Sequence, residues 1–440
     1  MPFVKRNFET GYRVIRILVV FFLSMTIVPT LAQDVIPIND IGGLHSAYVV
    51  PRDKFNRVDV QLIVLSGSFD DDKISGTAHF LEHLAAFSAD TYVLREPRAR
   101  DLYAKTSSVA TIYTNSGPPS DIDRLMKLSR AVLYKPRLPK DFLESEIKIV
   151  QRETFLRERQ YPTRWLRRIA LQNLYGSKLG RANNIIKDLP KLNLQAALDF
   201  HNTHYIPANV MVVISGKIDP KLAATKVKEF FGDTEVGTAP EKWWLNEKPD
   251  PKLRTLDRIT SNRLQDNLII YSKFIDLDWV NTSIDLQGEF FIGVTIFQSR
   301  IREALIFNDF DFQTISTDFF MAKNGDTEMN TFIKPMPLVS FEKALAKFEG
   351  ALTSLLDKPI TSKEIDAARQ RNAAHGRNAA RGTRNFLRFL ENVASDGLRP
   401  ISPSTYAKLI KDTTDAEVFQ FMDALIKPSA TSILFAKKED

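Results

Sequence analysis

Residues 79–83 read His-Phe-Leu-Glu-His, and these five positions hold most of the chemistry visible in the chain. On a helix, side chains four apart lie one above the other, about 5–6 Å apart, so His79 and His83 share a face. That is the reach at which two imidazole nitrogens bind one Zn²⁺ at about 2.0–2.1 Å. Glu82 shares the face and can sit beside a metal-bound water as its proton acceptor. A catalytic zinc also needs a third protein ligand and an open position. The chain has no Cys, so no thiolate competes for that role. The charged stretch 142–159 carries Glu146 and Glu153, two turns apart on one helical face. Glu153 is the expected third ligand and Glu146 a supporting carboxylate. Taken apart, the two segments have ordinary readings: paired histidines on a surface or in a core, and glutamates on a solvated helix. The other histidines, His45, His201, His204 and His375, are scattered, and His201 and His204 read as helix-end residues.

The elements that must position these groups follow from periodicity. Residues 58–66, rich in Val and Ile, read as a strand that ends at Gly67 and the acidic run Asp70–Asp72. A helix then opens at Ser75 or Gly76 and carries the His-rich segment to Phe87. Residues 92–105 read as a second helix kinked at Pro97, 108–114 as a short strand and 115–119 as a loop. Helices follow over 121–133 and 142–159, then a buried strand over 209–215 and a helix over 220–231. Residues 236–262, with Pro240, Pro249, Pro251 and many charges, read as an interdomain linker. Beyond it come a strand over 267–272, helices over 293–307, 341–356, 362–394 and 415–426, and a closing strand over 431–436. Both halves mix antiparallel-looking strands with long helices, so the class is α+β in two similar domains, 33–235 and 263–440, compatible with an internal duplication.

Composition narrows the setting. The 440 residues carry 60 Lys+Arg against 53 Asp+Glu and 44% hydrophobic residues, which is ordinary for a folded chain. Zero Cys excludes disulfides, thiolate zinc sites and a cysteine nucleophile. Of the net charge of +7, residues 1–32 hold +3 (Lys5, Arg6, Arg13 and Arg16 against Glu9), leaving +4 for the rest. No basic, aromatic-interleaved run follows, so a nucleic-acid partner is not expected. The four basic residues precede an apolar run from Ile17 to Val28, then Pro29 and the small-residue exit at Ala32. This is the layout of a secretory signal peptide cleaved near Ala32, giving an exported, periplasmic or secreted protein. The run is short for a bilayer span, and a membrane is expected only through an uncleaved signal segment.

At these residues the chain resembles the pitrilysin/insulinase family of zinc metallopeptidases, most of all its mitochondrial-processing-peptidase-like branch. The resemblance rests on 65–71 with 76–84, on the Glu146 to Glu153 step, and on 205–216 with Phe230-Phe-Gly232. It implies that His79, His83 and Glu153 hold zinc, that Glu82 is the general base and that Glu146 assists. It implies two domains of one fold, each a mostly antiparallel sheet packed with helices, pairing into a peptide-enclosing chamber. A homodimer, or a heterodimer with a related subunit, would close that chamber. The strand from Ala110 to Thr114, with Ala110, Thr111 and Tyr113, would be the edge to which a substrate adds.

The chain also departs from the family pattern. It is shortened near residues 115–120, where a strand is usual, and Thr111 stands where Asn is common. Active relatives bring an Arg and a Tyr to the substrate carbonyl from the second domain or a partner. Here residues 299–303 resemble that stretch loosely, with Arg302 as the expected cation, but Phe310 or Phe312 stands where the Tyr is expected. A Phe keeps the ring and loses the hydroxyl donor. The expected function is a zinc endopeptidase acting on peptides or unfolded chains. The alternative is a non-catalytic or weakly active scaffold or peptide-binding subunit beside an active paralogue.

Overall fold

The computed structural model describes residues 35–94, 102–176, 188–242, 248–277, 288–307, 310–321, 327–380, 383–395 and 400–439. The expected signal segment and Pro97 lie outside the described residues. The first half runs β1 (Ile36–Pro37), β2 (Ser46–Pro51), β3 (Val58–Val64), α1 (Thr77–Leu94), β4 (Leu102–Thr106), β5 (Thr111–Gly117), α2 (Ile122–Ala131), α3 (Lys140–Gln160), α4 (Pro162–Tyr175), α5 (Leu194–His204), β6 (Val210–Gly216) and α6 (Pro220–Phe231). The second runs β7 (Arg254–Ser261), β8 (Leu268–Ile275), α7 (Gly288–Arg302), β9 (Phe312–Met321), β10 (Thr327–Pro335), α8 (Phe341–Thr353), α9 (Ser362–Ala380), α10 (Thr383–Ser395), α11 (Pro403–Asp412), α12 (Asp415–Ile426) and β11 (Thr431–Lys438).

The strands form two sheets, in the orders β1-β2-β6-β3-β5-β4 and β7-β11-β8-β10-β9. Beyond the two-residue β1, the second order repeats the first strand for strand. In each, the last strand of the half runs parallel to the first (β6 with β2, β11 with β7), and every other pairing is antiparallel. The α+β class with two like domains is what the structure has.

Each half also packs a helix on the other's sheet. Leu166 and Ala170 of α4 pack with Ile270, Phe332 and Leu434 of the second sheet. In return, α10 packs near β5, and Arg52 of the first half stacks over the Phe386 ring at 3.8 Å. The first sheet is therefore covered on both faces. Val60, Leu62 and Val212 pack with the first half's own helices, while Ile63, Ile112 and Val213 join the core of the second half. Double-sided burial explains why β6 opens on a continuous apolar run, Val210 to Ile214, and not an alternating one.

Several element boundaries differ from the sequence expectation. The helices expected over 220–231 and 415–426 form with those bounds. Asp219 caps the first beside a Pro at its opening position, and Thr414 with Glu417 forms a capping box on the second. The helix expected over 92–105 is instead the end of α1, to Leu94, with a strand over Leu102–Thr106 that buries Leu102 in the core. The loop expected over 115–119 begins later, because Asn115 pairs with Val60 and its amide donates to Ser129 Oγ (3.0 Å). A strand thus runs on to Gly117, where the sequence had looked shortened. The linker expected over 236–262 contains β7, whose mostly exposed pattern carries no apolar signal and whose partner β11 lies far along the chain. The helix expected over 362–394 forms two helices, α9 and α10.

Candidate metal centre

The loop before α1 sets the centre's first face. Asp71 accepts from the amides of Gly76 (2.6 Å) and Ala78 (2.8 Å), closing the helix start. Burial pushes its carboxyl up to about 7 against the pull of those two amides. Gly76 sits at φ +94, a conformation that favours glycine. From that start, Phe80, Leu81 and Leu84 turn into the core, and His79, Glu82 and His83 turn to the other side. The second face comes from α3. Val150 is fully buried against the same core, and the Phe142 ring stacks on Phe87 at 3.7 Å between centroids. This pins α3 across α1 and presents Glu146 and Glu153 to the histidines.

The resulting geometry suits a metal. His79 Nε2 and His83 Nε2 lie 3.2 Å apart, and each is 3.8 Å from Glu153 Oε2. Tetrahedral ligands at about 2.0–2.1 Å from zinc stand roughly 3.3 Å from one another, so the three atoms fit one ion. His83 Nδ1 donates to Glu146 Oε1 at 2.6 Å, which fixes the ring and leaves its Nε2 lone pair facing the centre. Burial drives His79 down to about 3, helped by His83 and Arg157, so its ring is neutral, the form a metal would need. His83 moves the other way. Burial opposes its charge, but the Glu146 hydrogen bond and the nearby Glu82 and Glu153 outweigh that and raise it.

Glu82 lies beside this triangle, its ligand atom within 4.8 Å of those of the two histidines. Its carboxyl is raised above the usual range, chiefly by burial, while Thr106 Oγ1 donates to Oε2 at 2.6 Å and pulls the other way. A carboxylate that accepts a proton readily beside a metal site is what a general base requires. The metal and acid–base residues expected from sequence are thus brought together.

The expected substrate residues are not. Ala110, Thr111 and Tyr113 are buried, and β5 is an interior strand flanked by β3 and β4. Thr111 Oγ1 donates to the Ser66 carbonyl, and the Tyr113 hydroxyl is paired with that of Tyr205 (2.7 Å). These side chains build the domain and cannot meet a peptide. The edge of the sheet is β4, and its Thr106 touches Glu82. Arg302 is exposed at the end of α7. Its neighbour Arg300 is bound to Glu364 and to the carbonyls of Leu355, Lys358 and Pro359, a structural knot. Phe312 is buried in the core and Phe310 is 86% exposed.

Three residues of the centre were missed from sequence: Asp71, Thr106 and Arg157. Arg157 carried a local signal, standing four residues after Glu153 on one helix face, and its Nη2 donates to Glu153 Oε2 at 3.1 Å.

Comparison with known sequences decides the family. The pattern described as Insulinase (Peptidase family M16) matches residues 48–182, and that described as Peptidase M16 inactive domain matches residues 191–372. The chain belongs to the insulinase peptidase family, M16. This M16 chain is 23% identical over 355 residues to the probable zinc protease PqqL of Haemophilus influenzae, covering 74% of this chain and 37% of that protein. It is 28% identical over 189 residues to the human mitochondrial-processing peptidase subunit beta, covering 40% of this chain and 37% of that one. In fold it is similar to the crystallised first half of the periplasmic protease PqqL from Escherichia coli, with a TM-score of 0.67, 17% identity, and 92% and 93% of the two chains covered. The M16 chain spans about half or less of the curated relatives it matches. The Haemophilus influenzae relative is named a probable zinc protease, and the donor set here, two imidazoles and a carboxylate, suits that ion.

Proposed function

We propose that this chain is a zinc-dependent endopeptidase that hydrolyses peptides or unfolded polypeptides in an exported compartment. The observation that carries the reading is the triangle of His79, His83 and Glu153 with Glu82 at its side. Zinc held there supplies Lewis-acid polarisation and a water of pKa about 7. The chain's own residues do the rest. Glu82 takes the proton of the attacking water and later gives it to the leaving amine. Glu146 keeps the His83 ring in one tautomer. An extended peptide adds to the free edge of β4, whose Thr106 orients Glu82, so main-chain pairing sets the scissile bond beside the base.

Export is supported by the basic, apolar and small-residue succession of residues 1–32 and by a periplasmic relative of the same fold. A second copy or a related subunit would complete the chamber that the family resemblance implies. The scaffold reading keeps one observation in its favour: Phe310 and Phe312 offer no hydroxyl where a phenol is expected.

Two substitutions separate the readings. Glu82→Gln should keep one zinc per chain and lose about 10³-fold or more in turnover of a quenched peptide. His79→Ala should lose the zinc itself. Full turnover after Glu82→Gln, or full zinc content after His79→Ala, would defeat these assignments. Zinc-loaded wild-type chain without turnover, alone or with a partner, would favour the scaffold.

A further inference from the structure

We propose that the cavity between the loop before α1 and the helix α5 is a second binding site. Its ligand is a small primary ammonium compound with an uncharged hydrogen-bond acceptor beside the amine, the chemistry of an amino-acid amide. The inference does not depend on zinc or on the endopeptidase reading.

The cavity has a volume of about 470 Å³, within the range of small-molecule sites. Its inner lining is buried and includes Asp70, Thr77 and Phe200. Its rim is exposed, with Asp72 and Lys73 from the loop and Asp199 from α5. His204 lines it too, one turn after Phe200, with the two ring centroids 4.2 Å apart. Thr77 opens α1 two residues before His79, so it points about 200° around the helix from the metal face. The cavity is therefore separate from the metal centre.

One donor in the cavity has its role fixed by its neighbours. Ser66 Oγ is fully buried and accepts from the Lys242 ammonium (2.6 Å) and the Asn209 amide (2.9 Å). The same Asn209 nitrogen donates to the His204 carbonyl, so that amide has only one orientation. With both lone pairs of Ser66 taken, its own O–H goes to His204 Nδ1, 3.0 Å away. Burial and the Lys242 charge keep the imidazole neutral, so its single proton is on Nε2. Nδ1 is turned inward to Ser66, which leaves Nε2 on the cavity side, a donor without a partner among the described residues.

The ligand's chemistry follows from what is free to meet it. An N–H in the wall calls for an acceptor. Asp70 is already bound to Lys242 (3.2 Å) and to the Gly67 amide (2.9 Å). Asp72 and Asp199 then stand against Lys73, one negative charge in excess, and Asp199 commits only Oδ1 to Gln195. The rim therefore takes one cation and disfavours a carboxylate beside it. Phe200 and Ile74 offer an apolar wall to a side chain. The rim carboxylates alone would be solvated charges; the fixed N–H between them and the apolar wall is what points to a ligand. An amine, a neutral acceptor and an apolar side chain meet in an amino-acid amide, free or as the amino end of a peptide.

The test uses the full chain, with calorimetry and ¹⁵N imidazole spectra. Phenylalaninamide should bind with a Kd of about 1 mM or tighter, equally with and without zinc. N-acetylphenylalaninamide, which lacks the cation, and phenethylamine, which lacks the acceptor, should each bind about tenfold more weakly. Asp199→Asn should weaken phenylalaninamide about tenfold, and Ala196→Phe, which fills the cavity, should abolish its binding, both at an unchanged melting temperature. His204 should show the Nε2–H tautomer, with the Nε2 resonance moving as phenylalaninamide is added. A tripeptide amide beginning with Phe separates the sources: binding as tight as that of the free amide assigns the site to a peptide's amino end, and lost binding assigns it to the free amide. No heat from phenylalaninamide at about 10 mM, equal affinity for all three small compounds, or an Nδ1–H tautomer would overturn the site. A wild-type chain that takes up no zinc yet binds phenylalaninamide would sink the endopeptidase reading and leave this one standing.

Discussion

The two halves share one strand order, yet they use the helix after their central strand in opposite ways. In the first half α1 follows β3 and turns His79, Glu82 and His83 out of the core toward two glutamates of α3. In the second half α7 follows β8, and its corresponding length is spent on packing. Phe290 and Phe297 meet Phe319 edge-on, and Phe290 meets Phe421 with centroids 5.7 Å apart. Gly293 lets Phe421 come so close that a Cβ there would stand 2.2 Å from the ring. The same topology therefore supports a polar centre on one side and an aromatic core on the other. Fold alone places the helix; the side chains on it decide whether chemistry follows.

This comparison can be broken or sharpened by substitution. The largest stability effect is expected at the helix exchanged between halves. Leu166→Ala on α4 opens a cavity beside Ile270 and Leu434, at a cost of about 2–5 kcal/mol. Urea unfolding should show that loss, with hydrogen exchange rising in the second sheet, although the substitution lies in the first half. Protection lost only in the first half would contradict the exchange.

Arg300→Ala should follow, costing about 1–2 kcal/mol by removing the guanidinium that ties Glu364 to three carbonyls, with zinc content untouched. Loss of zinc from that variant would show that the second half's charges serve the first half's centre.

A pH effect of similar or smaller size belongs to the first half. Burial lowers His201 to about 4 and His204 to about 3, both from an ordinary 6.5. Between pH 6.5 and those values the unfolded chain binds protons at these two sites that the folded chain does not, so their contribution to stability falls on acidification and is unchanged above 6.5. The loss should be on the order of 2 kcal/mol by about pH 4.5 for His201, and His201→Gln should flatten the profile of denaturation midpoint against pH. An equal slope in that variant would count against it. The smallest effect is expected at Asp71→Ala, about 1–2 kcal/mol from the uncapped start of α1, read as a lower melting temperature with zinc still bound.

Much of the centre was legible because it is local. The stacking of His79 on His83, and of Glu146 with Glu153, follows from about 3.6 residues per turn, and their meeting needed only that the two helices cross. The substrate edge was not legible. Residues 92–105 read as a helix, so the strand Leu102–Thr106 that flanks 111–117 had no place in the expected order. Reading 110–114 as the edge put three buried side chains where a peptide was expected.

The amino-acid sequence by itself determined many of the helices, two of them (220–231 and 415–426) to the residue, the faces that carry His79, Glu82, His83, Glu146 and Glu153, and the family. Helical periodicity and capping act within a few residues and need no distant partner. Tertiary structure alone decided that β4 is the open edge and that β7 is a strand at all. It also decided that α4 and α10 change places, and that Thr106 and Arg157 come to the centre. Sheet order and side-chain convergence are set by contacts between residues tens to hundreds of positions apart, and a local pattern holds no record of them.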